Sequence, residues 1–366
     1  MFTTIPVPDD DPRRLAVRAW LADHPSPKPR EVVEAGLAAP HWPAPWGRDA
    51  DPVTQLLIEE ELQNAGVSVP LNPNGTAYTG PSLLFGGSRE QQERYLPPLL
   101  AGEELWCRLY SEPDVGSDLS AIRTRGERRG DVFVVNGWKL WAPLAQAAAF
   151  GGLLVRTSGE PGDRHGLSYL VCPMDSPGLT VRPIRDLAGG YRFNELTFDN
   201  VEIAAGNLVG ELDEGLAVAE ARPLFERVTT ACGAAFGNGP NARDLVRHCR
   251  KQLAEADPLI RTRMLDACVE GEVLRMMAIS VADSRALGKD TELIERARKI
   301  RLERHGKAIG MLACDVLGAK GMLVPGEEDA AAKLWHNMFM SGPTITIGAG
   351  TTEIQLDELG DRLLGL

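Results

Sequence analysis

The residues best suited to chemistry fall in two short segments. LYSEPDVGSD (109–118) strings together a hydroxyl at Ser111, a carboxylate at Glu112, a proline stop and a Gly116-Ser117-Asp118 turn. NGWKLWAPLA (136–145) sets Trp141 just past an Asn136-Gly137 pair that reads as a tight turn. Turn amides and serine hydroxyls bind phosphate and an indole stacks on a ring system, so together they suit a flat, polyanionic cofactor. Taken alone, each also fits an ordinary polar loop between strands.

Other chemistries find little support. His24, His41, His165, His248, His305 and His336 stand apart with no ligand spacing, so no metal site is expected. Cys107, Cys172, Cys232, Cys249, Cys268 and Cys314 form no CxxC pair and read as reduced core thiols, which suits a cytoplasmic protein. There is no Gly-x-Ser-x-Gly elbow and no Gly-rich dinucleotide loop after a strand. Net charge is −12 and the basic residues are interleaved with acids, as in Arg296, Lys299, Arg301, Glu303 and Arg304. Such a helix face reads as solvated surface, and nucleic-acid binding is not expected. No apolar run approaches membrane-spanning length and no leader pattern opens the chain, so a soluble, cytoplasmic protein is expected.

The elements that must position the two segments follow from the pattern. At 366 residues the chain can bury two or three cores. Residues 1–107 read as a helical domain with proline-rich joints. One helix is expected over 52–65, another begins at a Ser88/Gln91 capping box and stops at Pro97-Pro98, and Trp42 and Trp46 are read as packed. Residues 108–213 read as an antiparallel β domain, sandwich or barrel, from apolar runs at 132–135, 150–156, 167–171, 179–183 and 195–203. Residues 214–366 return to helical spacing. Asp257 and Pro258 can open a helix that Gly288 ends, with Ile260, Met264, Ala267, Gly271, Leu274, Ala278 and Val281 as its bundle stripe, and a second helix covers about 292–317. The fold class is α+β: helices, an antiparallel β domain, then a four-helix bundle.

In this order, these segments resemble the acyl-CoA dehydrogenase family over nearly the whole chain. GPSLLFGGSREQQERYLPPLLAGEELWC (80–107), LTFDNVEIAAGNLVGELDEG (196–215) and the closing ITIGAGTTEIQLDELGDRLLGL carry the likeness further. The resemblance implies bound FAD and α,β-dehydrogenation of an acyl-CoA thioester: a carboxylate base takes the α proton and the β hydride passes to flavin N5. It places Arg108, Leu109, Tyr110, Ser111, Gly116 and Ser117 in the flavin cradle, with Ser111 on the ring and Ser117 near phosphate or substrate. Trp141, Ala142 and Pro143 would line the ring, and Asp315, Gly318, Thr351 and Glu353 would complete the cofactor site. Each hydroxyl among these is equally open to a turn-stabilising role.

The chain departs from the family pattern at four places. The position that often holds the base, before the C-terminal Gly-Thr, is Ala349, whose N–H would still hold the thioester carbonyl beside Gly350. A sub-branch carries Glu before Arg on the first long helix after the β domain, which makes Glu226 the expected base and Arg227 its support or a CoA contact. The plainer alternative is a surface acid and a helix salt bridge. Pro143 stands where Thr or Ser usually meets N5 and offers neither hydroxyl nor N–H. The region RHCRKQLAEADPL lacks the family's Arg-x-x-Phe-Gly, and Asp315 replaces a Gln in the motif that follows. These last changes imply either a homo-oligomer with substituted contacts or a heterotetramer of the actinobacterial steroid-degradation type. Electrons would leave to an electron-transfer flavoprotein or another acceptor. Two rivals stay open: a same-fold flavin oxidase or monooxygenase, and a non-catalytic partner subunit.

Overall fold

The computed structural model describes residues 7–67, 72, 74–221, 241–324, 326, 329–348 and 350–365. It divides into two compact units, one of Met1–Asp186 with Gly190–Arg227 and one of Leu187–Gly189 with Val228–Leu366.

The first unit opens with helices α1 (Pro12–Asp23), α2 (Pro29–Glu34) and α3 (Pro52–Asn64), a π-helical turn (Gly75–Thr79), α4 (Gly80–Gly86) and α5 (Arg89–Leu100). Asp51 caps α3 by accepting from the Val53 and Thr54 amides at 2.9 and 3.1 Å, with Pro52 at the first helical position. The Ser88/Gln91 box forms in both directions, at 3.2 and 3.0 Å. Contrary to the expected stop, α5 runs through Pro97 and Pro98 to Leu100. Leu96, Leu99 and Leu100 are fully buried. At about 1.5–3 kcal/mol each, their burial offsets the interior-proline cost of about 3 kcal/mol. Trp42 and Trp46 pack into the same core, as expected.

The strands are β1 (Trp106–Leu109), β2 (Arg125–Arg129), β3 (Val132–Pro143), β4 (Phe150–Arg156), β5 (Leu167–Pro173), β6 (Leu179–Ile184), β7 (Phe193–Ala204) and β8 (Leu208–Val209), followed by α6 (Gly215–Ala219). They form one sheet in the order β6-β7-β3-β2-β4-β5-β8, with β1 on β4. Antiparallel pairs predominate, and β4 adds two parallel partners, β1 and β2. Every expected apolar run lies within a strand; β1, β2 and β8 are additional. The sequence RGERR of β2 carries no apolar pattern because all but one of its residues are exposed.

Strand β4 separates two cores. Leu153 and Val155 join Phe133, Val135 and Leu170 on one face, while Leu154 joins Leu96, Trp106 and Tyr169 beneath the helices. An unbroken apolar run is what a strand buried on both faces requires. Asn136-Gly137, expected as a tight turn, instead lies within the continuous strand β3, opposite a β-bulge whose extra residue is in β7, where the register shifts between Val135 and Gly137. Strand β7 pairs with β3 on both sides of this point and prevents a reversal. Gly137 has φ 152°, and a Cβ there would lie 2.6 Å from Thr124 Oγ1.

The second unit contains α7 (Ala242–His248), α8 (Arg250–Glu255), α9 (Pro258–Ala286), α10 (Glu292–Leu317), α11 (Ala330–Ser341) and α12 (Thr352–Leu364). Asp257 accepts from the Leu259 amide at 2.7 Å at the start of α9, and Gly288 follows its end at φ 66°. Met264 and Ala267 pack with Ile309, Leu312, Ala313 and Trp335. The charged face of α10 departs from expectation. Glu303 is fully buried and Arg298 is buried, so part of that face is interior and only the rest is solvated. Among the described residues no helix is long and apolar enough to cross a membrane.

Gly152 sets the spacing between β4 and β5. A Cβ on it would lie 2.0 Å from the Tyr169 hydroxyl and 2.7 Å from Thr79 Cγ2, and Tyr169 is fully buried. Gly152→Ala is expected to destabilise the protein by roughly 1–3 kcal/mol. Adding Tyr169→Phe should recover part of that loss in a thermal unfolding assay.

Candidate active site

Strand β1 ends at Leu109, and the chain then runs beside β3. Ser111 O accepts from the Leu140 amide at 2.8 Å, which joins the two segments directly. Beneath that contact lies a buried ion pair. Lys139 Nζ donates to Glu112 Oε1 and to the Tyr110 carbonyl, each at 2.9 Å. Glu112 also accepts from the Arg123 and Thr124 amides at 2.9 Å each. Lys139 is 0% exposed and Glu112 is 6% exposed. Burial works to raise the Glu112 pKa, but the Lys139 charge and these donors hold it below the ordinary carboxylate range. Burial pushes Lys139 down to about 8, against the pull of Glu112.

The pair brings a ring-stacking side chain into place. A second register shift, between Lys139 and Ala142, puts Trp141 at φ 60° with its side chain 54% exposed. Phe193 meets the indole edge-on at 6.2 Å between centroids. Asn194 donates to the Ala142 carbonyl at 3.0 Å, and the Leu144 amide donates to Arg192 O at 2.9 Å, so the strand beyond the bulge is tied to β7. Ala142 is buried, and Pro143 sits in the strand opposite Phe193. Gly116 and Ser117 are exposed, and the position a Cβ would take on Gly116 is open space. Leu109 and Tyr110 are buried, whereas Arg108 and Ser111 are half-buried. An exposed indole face, a neighbouring hydroxyl and an open Gly-Ser bend fit a flat ring with a phosphate tail. Pro143 contributes no donor to it.

The C-terminal residues form their own cluster in the second unit. Gly350, at φ 88°, presents its carbonyl to Lys299 Nζ at 2.6 Å. Thr351 caps α12 by accepting from the Ile354 amide at 3.3 Å, and Glu353 is exposed in its first turn. Thr352 donates to the buried Glu303 at 2.6 Å, while Glu303 pairs with Lys299. Arg296 donates to Gln355 Oε1 at 3.1 Å. Helix α10 thus holds 350–355 through the charges that the sequence reading had placed in solvent. Asp315 pairs with Arg263 of α9 at 2.7 Å, which gives its carboxylate a role between helices, and Gly318 ends α10 at φ 58°. Glu226, Arg227 and Ala349 lie outside the described residues.

Models of the N-terminal, middle and C-terminal domains of acyl-CoA dehydrogenases match residues 13–103, 107–201 and 213–364 in turn. The acyl-CoA dehydrogenase IpdE1 of Mycobacterium tuberculosis is 34% identical over 92% of this chain and 86% of its own. The chain belongs to the acyl-CoA dehydrogenase family. It is an enzyme of that class, an oxidoreductase acting on CH–CH bonds. FadE34 of the same organism, also named an acyl-CoA dehydrogenase, is 33% identical over 97% of this chain, which spans 48% of FadE34. The ChsE4-ChsE5 complex from M. tuberculosis has a chain superposing with a TM-score of 0.76 at 25% identity, over 100% of this chain and 99% of that one. A chain of the Tcur3481-Tcur3483 steroid acyl-CoA dehydrogenase shares the fold, with a TM-score of 0.77 at 24% identity over 96% of each chain.

The family implies a flavin, and the first-unit residues fit one. Sequence reasoning missed Lys139, Lys299 and Glu303. For Lys139 the signal was present, a lysine flanked by apolar residues in a strand and following a segment with an unassigned glutamate.

Lys139→Met leaves Glu112 buried without its cation and is expected to cost roughly 3–5 kcal/mol of stability; adding Glu112→Gln should recover part of it. The pH dependence has a defined sign. The folded Lys139 loses its proton near 8, while the unfolded chain keeps it up to the ordinary lysine value of 10.5. The unfolded state therefore binds more protons across that window, and this group's contribution to stability rises with pH there. Glu112 acts at the acid end, where its contribution is lost as pH falls through its depressed folded-state value. Denaturant titrations of wild type and Lys139→Met across both windows check these slopes.

Proposed function

We propose that this enzyme dehydrogenates an acyl-CoA thioester across Cα–Cβ with FAD as cofactor and Glu226 as base. The observation that carries the reading is the half-exposed Trp141, held beside Ser111 over a buried ion pair, in a chain of this family. When bound, FAD supplies the hydride acceptor. Trp141 would pack against its ring, Ser111 would donate to it, and Gly116 and Ser117 would receive its phosphates or the substrate. Thr351, Glu353, Asp315 and Gly318 are the cofactor contacts that the family resemblance adds from the C-terminal segments. The Ala349 N–H holds the thioester carbonyl, with Gly350 beside it, and stabilises the charge that develops when the α proton leaves. Glu226 takes that proton, which requires a carboxylate whose pKa is raised by its surroundings. Arg227 supports the base or the CoA moiety.

The substrate belongs to steroid breakdown and the enzyme is a heterotetramer with a second chain of the same family. This is supported by similarity to chains from a steroid acyl-CoA dehydrogenase and from the ChsE4-ChsE5 complex. It is also supported by the missing Arg-x-x-Phe-Gly, which calls for a partner to complete the flavin site. Electrons leave to an electron-transfer flavoprotein or another acceptor, in the cytoplasm. The domain division at 107 and 213 belongs to this reading, supported by the change to strands at Trp106 and back to helix at Gly215.

Glu226→Gln is expected to slow bleaching of the bound flavin by acyl-CoA roughly 10²–10⁴-fold, with the oxidised visible spectrum retained. Undiminished bleaching would remove Glu226 from the mechanism.

A further inference from the structure

Arg108 is a cation whose surroundings leave its donors unused. Its guanidinium carbon lies 4.1 Å from the Tyr78 ring centroid and 5.6 Å from that of Tyr110. Among the described residues no carboxylate pairs with it and no acceptor takes a hydrogen bond from its side chain. The buried arginines of the same unit are engaged: Arg14 pairs with Glu60 and Glu61, and Arg156 donates to the carbonyls of Ser120, Ile122, Ser158, Asp163 and His165. A half-buried guanidinium stacked on aromatic faces is pre-oriented, with its N–H edge free for a planar oxygen acceptor.

Its place in the strand says which ligand it faces. Cys107 and Leu109 enter the core inside the sheet, whereas Trp106 and Tyr110 enter the core under the helices. Arg108 shares the helix side, where Tyr78 from the π-helical turn meets it. The Gly116–Ser117 bend, which suits phosphate, lies at the other end of the segment. Arg108 precedes Ser111 by three residues, about 10 Å of extended backbone. It is therefore at the far end of the cradle from the phosphates and an acyl chain's length from the ring-facing serine.

We propose that Arg108, stacked on Tyr78 and Tyr110, is a specificity residue that binds a second oxygen acceptor, a carboxylate or ketone, carried by the acyl group. The assignment rests on the dehydrogenase reading above. A plain alkyl tail would strip water from the guanidinium without replacing its hydrogen bonds, so selectivity comes as much from that penalty as from the new contact.

The test compares octanoyl-CoA with its ω-carboxy and ω-oxo counterparts on the flavin-loaded enzyme, with kcat/KM expressed per mole of bound flavin. The carboxylated thioester is expected to exceed the plain one by about tenfold or more, with the ketone between them. Arg108→Met should collapse that ratio toward one. Arg108→Lys, which keeps the charge without the planar fork, should retain part of the carboxylate preference. A wild-type ratio near one, or a ratio unchanged in Arg108→Met, overturns the assignment. Loss of bound flavin in Arg108→Met with an unchanged ratio in the loaded fraction also overturns it, and gives Arg108 to the cofactor. Bleaching by all three thioesters at equal rates would defeat the Arg108 assignment alone, whereas bleaching neither by these nor by a steroid acyl-CoA would defeat the dehydrogenase reading with it.

Discussion

The first unit's site depends on one buried ion pair. Lys139 and Glu112 come from different segments, and their contact fixes the run-out of β1 against the middle of β3. A buried pair of this kind is weak evidence of net stability, because two charges must leave water to form it. Its effect here is positional. With Tyr110 O, the Arg123 and Thr124 amides and the Leu140–Ser111 bond satisfied together, a one-residue slip of β3 would orphan a buried ammonium and a buried carboxylate at once.

Around that anchor, backbone irregularity does the aiming. Two register shifts between β3 and β7 absorb an extra residue each, one in β7 opposite Gly137 and one in β3 at Trp141. The second turns a large apolar side chain outward at a positive φ that only a well-held backbone maintains in a non-glycine residue. Asn194 of β7 and Arg192 just before it supply that hold. Strain and exposure thus coincide at the one residue whose flat face the chemistry needs.

The second unit uses charge in a related way. Lys299, Glu303 and Arg296 project from one helix and satisfy Gly350, Thr352 and Gln355. A Gly-Thr-Thr segment has no apolar side chain to anchor it, so hydrogen bonds to buried charges replace packing. Asp315, an unfavourable neighbour for phosphate, has its charge matched by Arg263. That pairing removes the objection to an acid at this place in the fold.

Much of this was legible in the residues themselves. Local rules decided the caps at Asp51, Ser88 and Asp257, and the boundaries of α3 and α10, because the relevant bonds span only a few positions. The apolar runs gave β3 to β7, since β4 and β5, buried on both faces, must be apolar throughout and β7 alternates buried with exposed residues, and ordered motifs identified the family and the cradle segments. Tertiary structure decided the rest. Asn136-Gly137 stayed inside a strand because β7 pairs with β3 on both sides of it. Pro97 and Pro98 stayed inside a helix because three leucines beside them are buried. Glu303 took its role from partners far along the chain, and so did Lys139, whose apolar flanks signalled burial but not its partner; Arg108 finds no carboxylate among the described residues, and local sequence does not encode what a charged side chain will meet when the chain has folded.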